Sequence, residues 1–171
     1  MSVQDDSKEI AECIRTMRVF TGVLLAGLVM FLLVVVMVQR GQEPKNGGQP
    51  DIATLILLGQ AGLALLAGLL LPGRILARRL RELAQSRASQ QISGEVPTAA
   101  LLNELRGTSI FRLALLEGAC FTVLLATLIS GNLWLVAFVG VVLVLMMREW
   151  PTVESVTGWV LEQRDRIRQE F

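Results

Sequence analysis

Leu113-Ala-Leu-Leu-Glu-Gly-Ala-Cys-Phe-Thr-Val-Leu-Leu-Ala-Thr-Leu-Ile129 decides the class of this chain. Its only charged residue is Glu117. With Ile110-Phe111-Arg112 ahead of it, the stretch reaches the roughly 20 mainly apolar residues that a helix needs to cross a hydrocarbon core about 30 Å thick. Lipid leaves backbone polar groups no partner but the backbone itself, so a spanning segment is a helix or part of a closed barrel. The stretch lacks the apolar–polar alternation of a barrel strand. A carboxyl inside such a helix is costly, which makes Glu117 the first candidate for a functional site.

Three more apolar runs surround this one. Residues 19–38 form the first, interrupted only by Thr21 and small glycines. Residues 52–71 form the second, with Gln60 as the one strongly polar member. The fourth, 133–147, is shorter and is flanked by Trp134 and Trp150 in the manner of interfacial anchors. Ser130-Gly131-Asn132 predicts a tight antiparallel hairpin between spans three (110–129) and four. The expected fold is therefore an all-α membrane protein with four transmembrane helices and cytoplasmic amphipathic helices. Composition agrees: 53% of the 171 residues are hydrophobic, mean hydropathy is +0.56, and the apolar residues lie in blocks rather than dispersed. The first run reads as a retained span, because Asp5, Asp6, Glu9 and Glu12 precede it and no small-x-small cleavage site follows.

Net charge is only +1, but its placement is informative. Of the 16 Lys and Arg residues, all but Arg40 and Lys45 fall on one side of the expected spans. Lys8, Arg15 and Arg18 precede span one. Arg74, Arg78, Arg79, Arg81, Arg87 and Arg106 lie in the connection 73–109, with Arg112 just inside span three, and Arg148, Arg164, Arg166 and Arg168 follow span four. Positive flanks stay on the cytoplasmic side, which places both termini there. Segment 1–18 is then a cytoplasmic lead-in, and 39–51, with Pro44, Asn46-Gly47-Gly48 and Pro50, an outer loop. Residues 74–84 read as a helix prolonging span two, their arginines reaching to lipid phosphates. Residues 85–95 read as a flexible link, and Thr98 as the N-cap of a short interfacial helix over 99–106. Val153, Val156, Val160 and Ile167 recur at helical spacing, so 151–171 reads as an amphipathic helix lying on the membrane or on a partner.

The composition excludes much chemistry. There is no His and no Tyr, which removes the usual neutral-pH base and the commonest metal ligand. Cys13 and Cys120 differ too much in setting to pair, and no Cys-x-x-Cys spacing exists. No catalytic, metal, cofactor or nucleic-acid motif is present, so no cofactor is expected and the protein is read as not an enzyme. A candidate intramembrane polar site remains: Glu117 with Gln60 and Arg112. Glu117 lies about 10 Å along its helix from Ile110, and needs a cation, a hydrogen-bond donor or a retained proton. Arg112, Gln60, Arg15 and Arg18 are the candidate partners. Arg112, five residues away on the same helix, is poorly placed, so the expected partner is interhelical. Ala114, Gly118, Thr122, Ala126 and Ser130 recur every four residues as a small-residue packing stripe, with Gly22/Ala26 and Ala64/Gly68 as shorter versions. Spacing alone does not separate packing within the bundle from oligomerisation.

Arg112-Leu-Ala-Leu-Leu-Glu-Gly-Ala-Cys-Phe121, Ser130-Gly-Asn132 and Arg148-Glu-Trp-Pro-Thr152 together resemble a pattern in uncharacterised small four-helix bacterial membrane proteins. The resemblance covers roughly the C-terminal third, and Glu149 and Trp150 depart from it. It implies the four-span topology and a bacterial inner membrane, and it carries no activity. Leu115-Leu-Glu-Gly-Ala119 is similar to the carboxylate helix of rotary ATPase proteolipid subunits, which would make Glu117 a proton carrier, though the dense glycine stripe of those rotors is missing. Small multidrug exporters also combine four short helices with one membrane Glu, but theirs lies in the first helix among aromatics. The expected function is a non-enzymatic structural or accessory subunit in the lipid bilayer, packing as a homo-oligomer or into a larger membrane complex. The alternative is a small proton-coupled transporter or channel using Glu117, with Gln60 as a second pathway residue.

Overall fold

The computed structural model describes residues 3–41, 51–89 and 97–170. Over these the chain is helical: α1 (Val3–Arg40), α2 (Ile52–Ser89), α3 (Thr98–Ser130), a single 3-10 turn (Leu133–Leu135), α4 (Val136–Arg148) and α5 (Val153–Glu170). No strand occurs among the described residues. Three helices are long and apolar enough to cross a membrane, and α4 with α5 passes the same test only as a pair bent by 67°.

The apolar runs account for only part of each long helix. At 38 residues, α1 and α2 are each about 57 Å long, nearly twice the hydrocarbon thickness. The extra turns stay helical because they carry apolar residues every three or four positions, and those residues find one another. Cys13, Ile14 and Met17 of α1, Leu80 of α2, Leu101 and Leu102 of α3, and Val156 and Val160 of α5 bury together as a second core at the arginine-rich end. The first core lies within the apolar runs and joins Leu28 and Val35, Ala61, Leu116, Val123 and Leu124 of α3, and Val139, Val142 and Met146 of α4.

α3 is the hub, touching every other helix. Its relation to α1 is parallel and keeps a constant offset: Phe31 meets Phe121 with ring centroids 5.0 Å apart, and Gln39 reaches the carbonyls of Thr127 and Leu128. Residue n of α1 therefore lies level with about residue n+90 of α3. α2 runs antiparallel, with Gly68 against Leu115 and Leu116, and Arg79 facing Glu104. A residue of α2 and its level partner on α3 have numbers summing to about 183. The outer faces of α1, α2 and α4 carry exposed Val29, Met30, Leu63, Leu70, Val141 and Val144, among others. A belt of this kind would drive aggregation in water and suits lipid.

Several expectations change. α2 continues through residues 85–89, so that part of the expected link is helix; the rest of it, 90–95, lies outside the described residues, as does most of the 39–51 loop. The 99–106 helix is no separate interfacial piece but the first turns of α3. Thr98 is its first helical residue rather than a side-chain N-cap, and its Oγ accepts a hydrogen bond from Arg164 on α5. α5 lies on its own chain, against α1 and α3, with Val156 and Val160 buried; Val153 is exposed, and the side chain of Ile167 lies outside the described residues. The α3–α4 turn forms as expected. Gly131 adopts the left-handed conformation (φ 72°) and its N–H bonds to Thr127 O, a helix stop that favours glycine. α4 itself is only 13 residues long, so the fourth run does not pass as a span by itself.

Candidate functional site

At 100° per residue, α3 divides into four sides. Glu117 and Phe121 face α1, Leu115 and Leu116 meet α2 at Gly68, and Cys120 and Val123 are buried in the first core. Phe111, Ala114, Gly118, Leu125 and Ile129 share the fourth side and are exposed; Thr122, on the same side, is half-buried. α1 and α2 flank this side and scarcely touch each other. The result is an open groove along the bundle, with the small residues of α3 as floor and α1 and α2 as walls.

The carboxyl of Glu117 sits where the floor meets the α1 wall. A Cβ added at Gly27 would stand 3.9 Å from its Oε1, so the glycine leaves the carboxyl its space. Glu117 has no hydrogen-bond or ion-pair partner among the described residues. Since Gly27 lies eight residues into the 19–38 run, the carboxyl is about 12 Å inside the apolar zone, short of its middle.

The expected companions of Glu117 go elsewhere. Arg112 pairs with Glu149, Nη1 to Oε2 at 2.9 Å, and Arg18 donates from Nε to Pro151 O at 3.1 Å. Both arginines thereby hold the corner between α4 and α5. Arg15 is exposed. Gln60 is also exposed, on α2 at the level of residue 123, about 9 Å along the bundle from Glu117. The three residues of the candidate polar site thus do not converge. The small-residue stripe divides as well: Ala126 is buried, Thr122 and Ser130 are half-buried, and Ala114 and Gly118 face the groove. Thr122 satisfies its hydroxyl on Gly118 O.

Toward the arginine-rich end the groove opens into a cleft of about 500 Å³, lined among others by Glu9, Glu12, Cys13, Thr16, Asn103 and Arg106. Oε2 of Glu9 is enclosed and has no hydrogen-bond partner among the described residues. Burial pushes the Cys13 thiol above its usual range, with the Arg106 guanidinium opposing. Its Sγ lies 3.8 Å from Met17 Sδ and 3.9 Å from Leu102 O, an inert packed position rather than a reactive one. No group of His, Cys, Asp or Glu able to hold a metal ion occurs among the described residues.

Two structural side chains escaped sequence reasoning. Glu149, the first acid after Glu117, stood in an apparent interruption before Pro151, and its position near the positive end of span four was the available signal. Gln39 reads as the start of a loop, yet it is buried and donates from Nε2 to Thr127 O at 3.0 Å and Leu128 O at 3.2 Å. It ties the end of α1 to the last turn of α3, adding a second bond to Thr127 O, which already accepts from Gly131 N–H, and reaching Leu128 O, one of the last carbonyls of the helix. Gln39→Leu should therefore lower stability by about 1–2 kcal/mol in a detergent-denaturation titration, by removing two interhelical hydrogen bonds and stranding Leu128 O. An unchanged midpoint would show that solvent or another donor replaces the amide.

No family model, characterised protein or solved structure matches this chain.

Proposed function

We propose that this is a non-enzymatic multi-pass membrane protein that receives a further membrane helix in the groove between α1 and α2, as a structural or accessory subunit. The unpartnered Glu117 carboxyl beside a floor of Ala114 and Gly118 carries this reading. In hydrocarbon a carboxyl without a donor is unstable, and small residues let a second backbone approach closely enough to supply one.

The same reading takes α4 as a fourth crossing, with both termini cytoplasmic in a bacterial inner membrane. Trp134 and Trp150, 69% and 42% exposed, stand at opposite ends of α4, about 24 Å apart along the helix, close to the span of the hydrocarbon core. Fourteen of the 16 Lys and Arg residues lie at the end that holds the second core. The transport alternative uses the same carboxyl but gains no continuous polar path, since Gln60 lies about 9 Å away along the bundle.

Assembly and flux separate the two readings. An interhelical polar contact in lipid contributes about 1–2 kcal/mol. Glu117→Leu should therefore weaken association in mild detergent or in vesicles about five- to thirty-fold, while Glu117→Gln, which still hydrogen-bonds, keeps most of it. Proton flux through the wild-type protein in liposomes that Glu117→Gln abolishes, with assembly unaffected by either variant, would replace the accessory reading with the transport one.

A further inference from the structure

We infer that the helix seated in this groove belongs to a different protein, and that it carries a hydrogen-bond donor at the depth of Glu117 and a Lys or Arg about 15 residues nearer the arginine-rich end. The inference rests on the docking reading above and deepens it by fixing the chemistry of the occupant.

Two acidic places lie along the α1 side of one groove. Glu117 is level with Gly27 of α1, while the cleft acids Glu9 and Glu12 stand on the same α1 wall nearer its N-terminus. From Glu12 to Gly27 is 15 residues, about 22 Å along the helix. Glu12 has no ion-pair partner among the described residues, and Oε2 of Glu9 is shut away without a donor. Arg106 lines the same cleft, so two carboxylates face one guanidinium and the cleft keeps a negative balance. Between the two places the floor is Ala114, Phe111 and Gly107, and the α1 wall is Thr16, Phe20 and Val23. An apolar helix fits there, and a cationic one would not. The occupant is thus polar at one level within the apolar zone, apolar below it and basic at its end.

A second copy of this chain does not meet that description. At the level of Glu117, the outer face of α2 presents Leu63, Leu66, Ala67 and Leu70, and that of α1 presents Ala26 and Met30. None of these donates a hydrogen bond. Gln60 lies too far along α2, and its helix points its side chain away from that level, toward the α2 N-terminus. Two grooves facing each other would meet wall to wall, leaving both floors empty. Only the basic half of the requirement is met by this chain, through Arg74 and Arg81 on α2.

Designed peptides test the inference on the full-length protein in liposomes. The probe is a fluorescent 26-residue Leu/Ala helix with one Asn within its apolar stretch and two Lys 15 residues away. Two control peptides replace Asn by Leu, or the two Lys by Glu. Energy transfer from labelled protein should show the probe binding about tenfold more tightly than either control. Glu9→Lys with Glu12→Lys should reverse the preference between the Lys and Glu peptides, a result that misfolding cannot produce. Ala114→Trp, which fills the groove floor at an exposed position, should abolish binding of all three. If the three peptides bind equally and Ala114→Trp still blocks them, the groove takes a helix but the two-point chemistry is wrong. If none binds, or Ala114→Trp changes nothing, the docking reading falls with it. Preferential self-association of the wild type through the groove, lost in Ala114→Trp, would overturn the assignment to a different protein.

Discussion

Leu116→Ala is expected to lower the unfolding free energy of the bundle by about 2–4 kcal/mol. Leu116 is 1% exposed on the hub helix, and its Cγ and Cδ2 lie 3.6 and 3.4 Å from the place a Cβ on Gly68 would occupy. In lipid the apolar side chain gains little from leaving the solvent, since hydrocarbon is as apolar as leucine. What is lost is dispersion contact on both sides of a cavity that α2 and α3 cannot close without moving their backbones. The helices should still insert, because insertion depends on each run's own hydropathy. A titration with denaturing detergent should therefore show an earlier midpoint at unchanged helix content. A midpoint within about 0.5 kcal/mol of wild type would mean that the interface collapses freely and that α2 is held elsewhere.

Gly68→Leu attacks the same contact from the other side. The Cβ of any residue here would already lie 3.3 Å from the Leu115 Cβ, a close approach that neither rigid backbone relieves cheaply. A leucine would push α2 off α3 and should cost about 2–3 kcal/mol or more, with a falling yield of folded protein. The two sites are coupled. Gly68→Ala in the Leu116→Ala background finds the space that Leu116 vacated, so the double variant should be more stable than the sum of the singles by about 1 kcal/mol. Strict additivity would show that α2 does not rest on Leu116. The groove prediction is independent of this one, because Ala114 and Gly118 lie on a different side of α3.

Much of the architecture is readable from local pattern. Unbroken apolar runs give the long helices, because lipid admits no other local solution for the backbone, although only three of the four runs yield helices long enough to cross alone. Gly131 marks the α3 stop through its positive φ, and the arginine distribution marks one end of the bundle. The length of the helices is less legible. Residues 85–89 look like linker yet continue α2, and residues 99–106 look like a surface helix because Leu101 and Leu102 find partners only when four helix ends come together. The second core is the clearest case: no segment of it is apolar enough to announce a core alone, yet Met17, Leu80, Leu102 and Val160 are each buried there.

The sequence by itself determined that this is a helical membrane protein with an arginine-rich end and one carboxyl at depth. Those are properties of single segments, set by hydropathy, turn residues and charge. Only the tertiary structure decided that Arg112 and Arg18 secure the α4–α5 corner instead of meeting Glu117, that Gln60 stands apart, and that Ala114 and Gly118 of the small-residue stripe face outward. Helical spacing fixes which residues share a side, but which side another helix covers depends on how α1, α2 and α4 arrange themselves around α3. That arrangement leaves one side of α3 uncovered, and Glu117 lies at its border with α1.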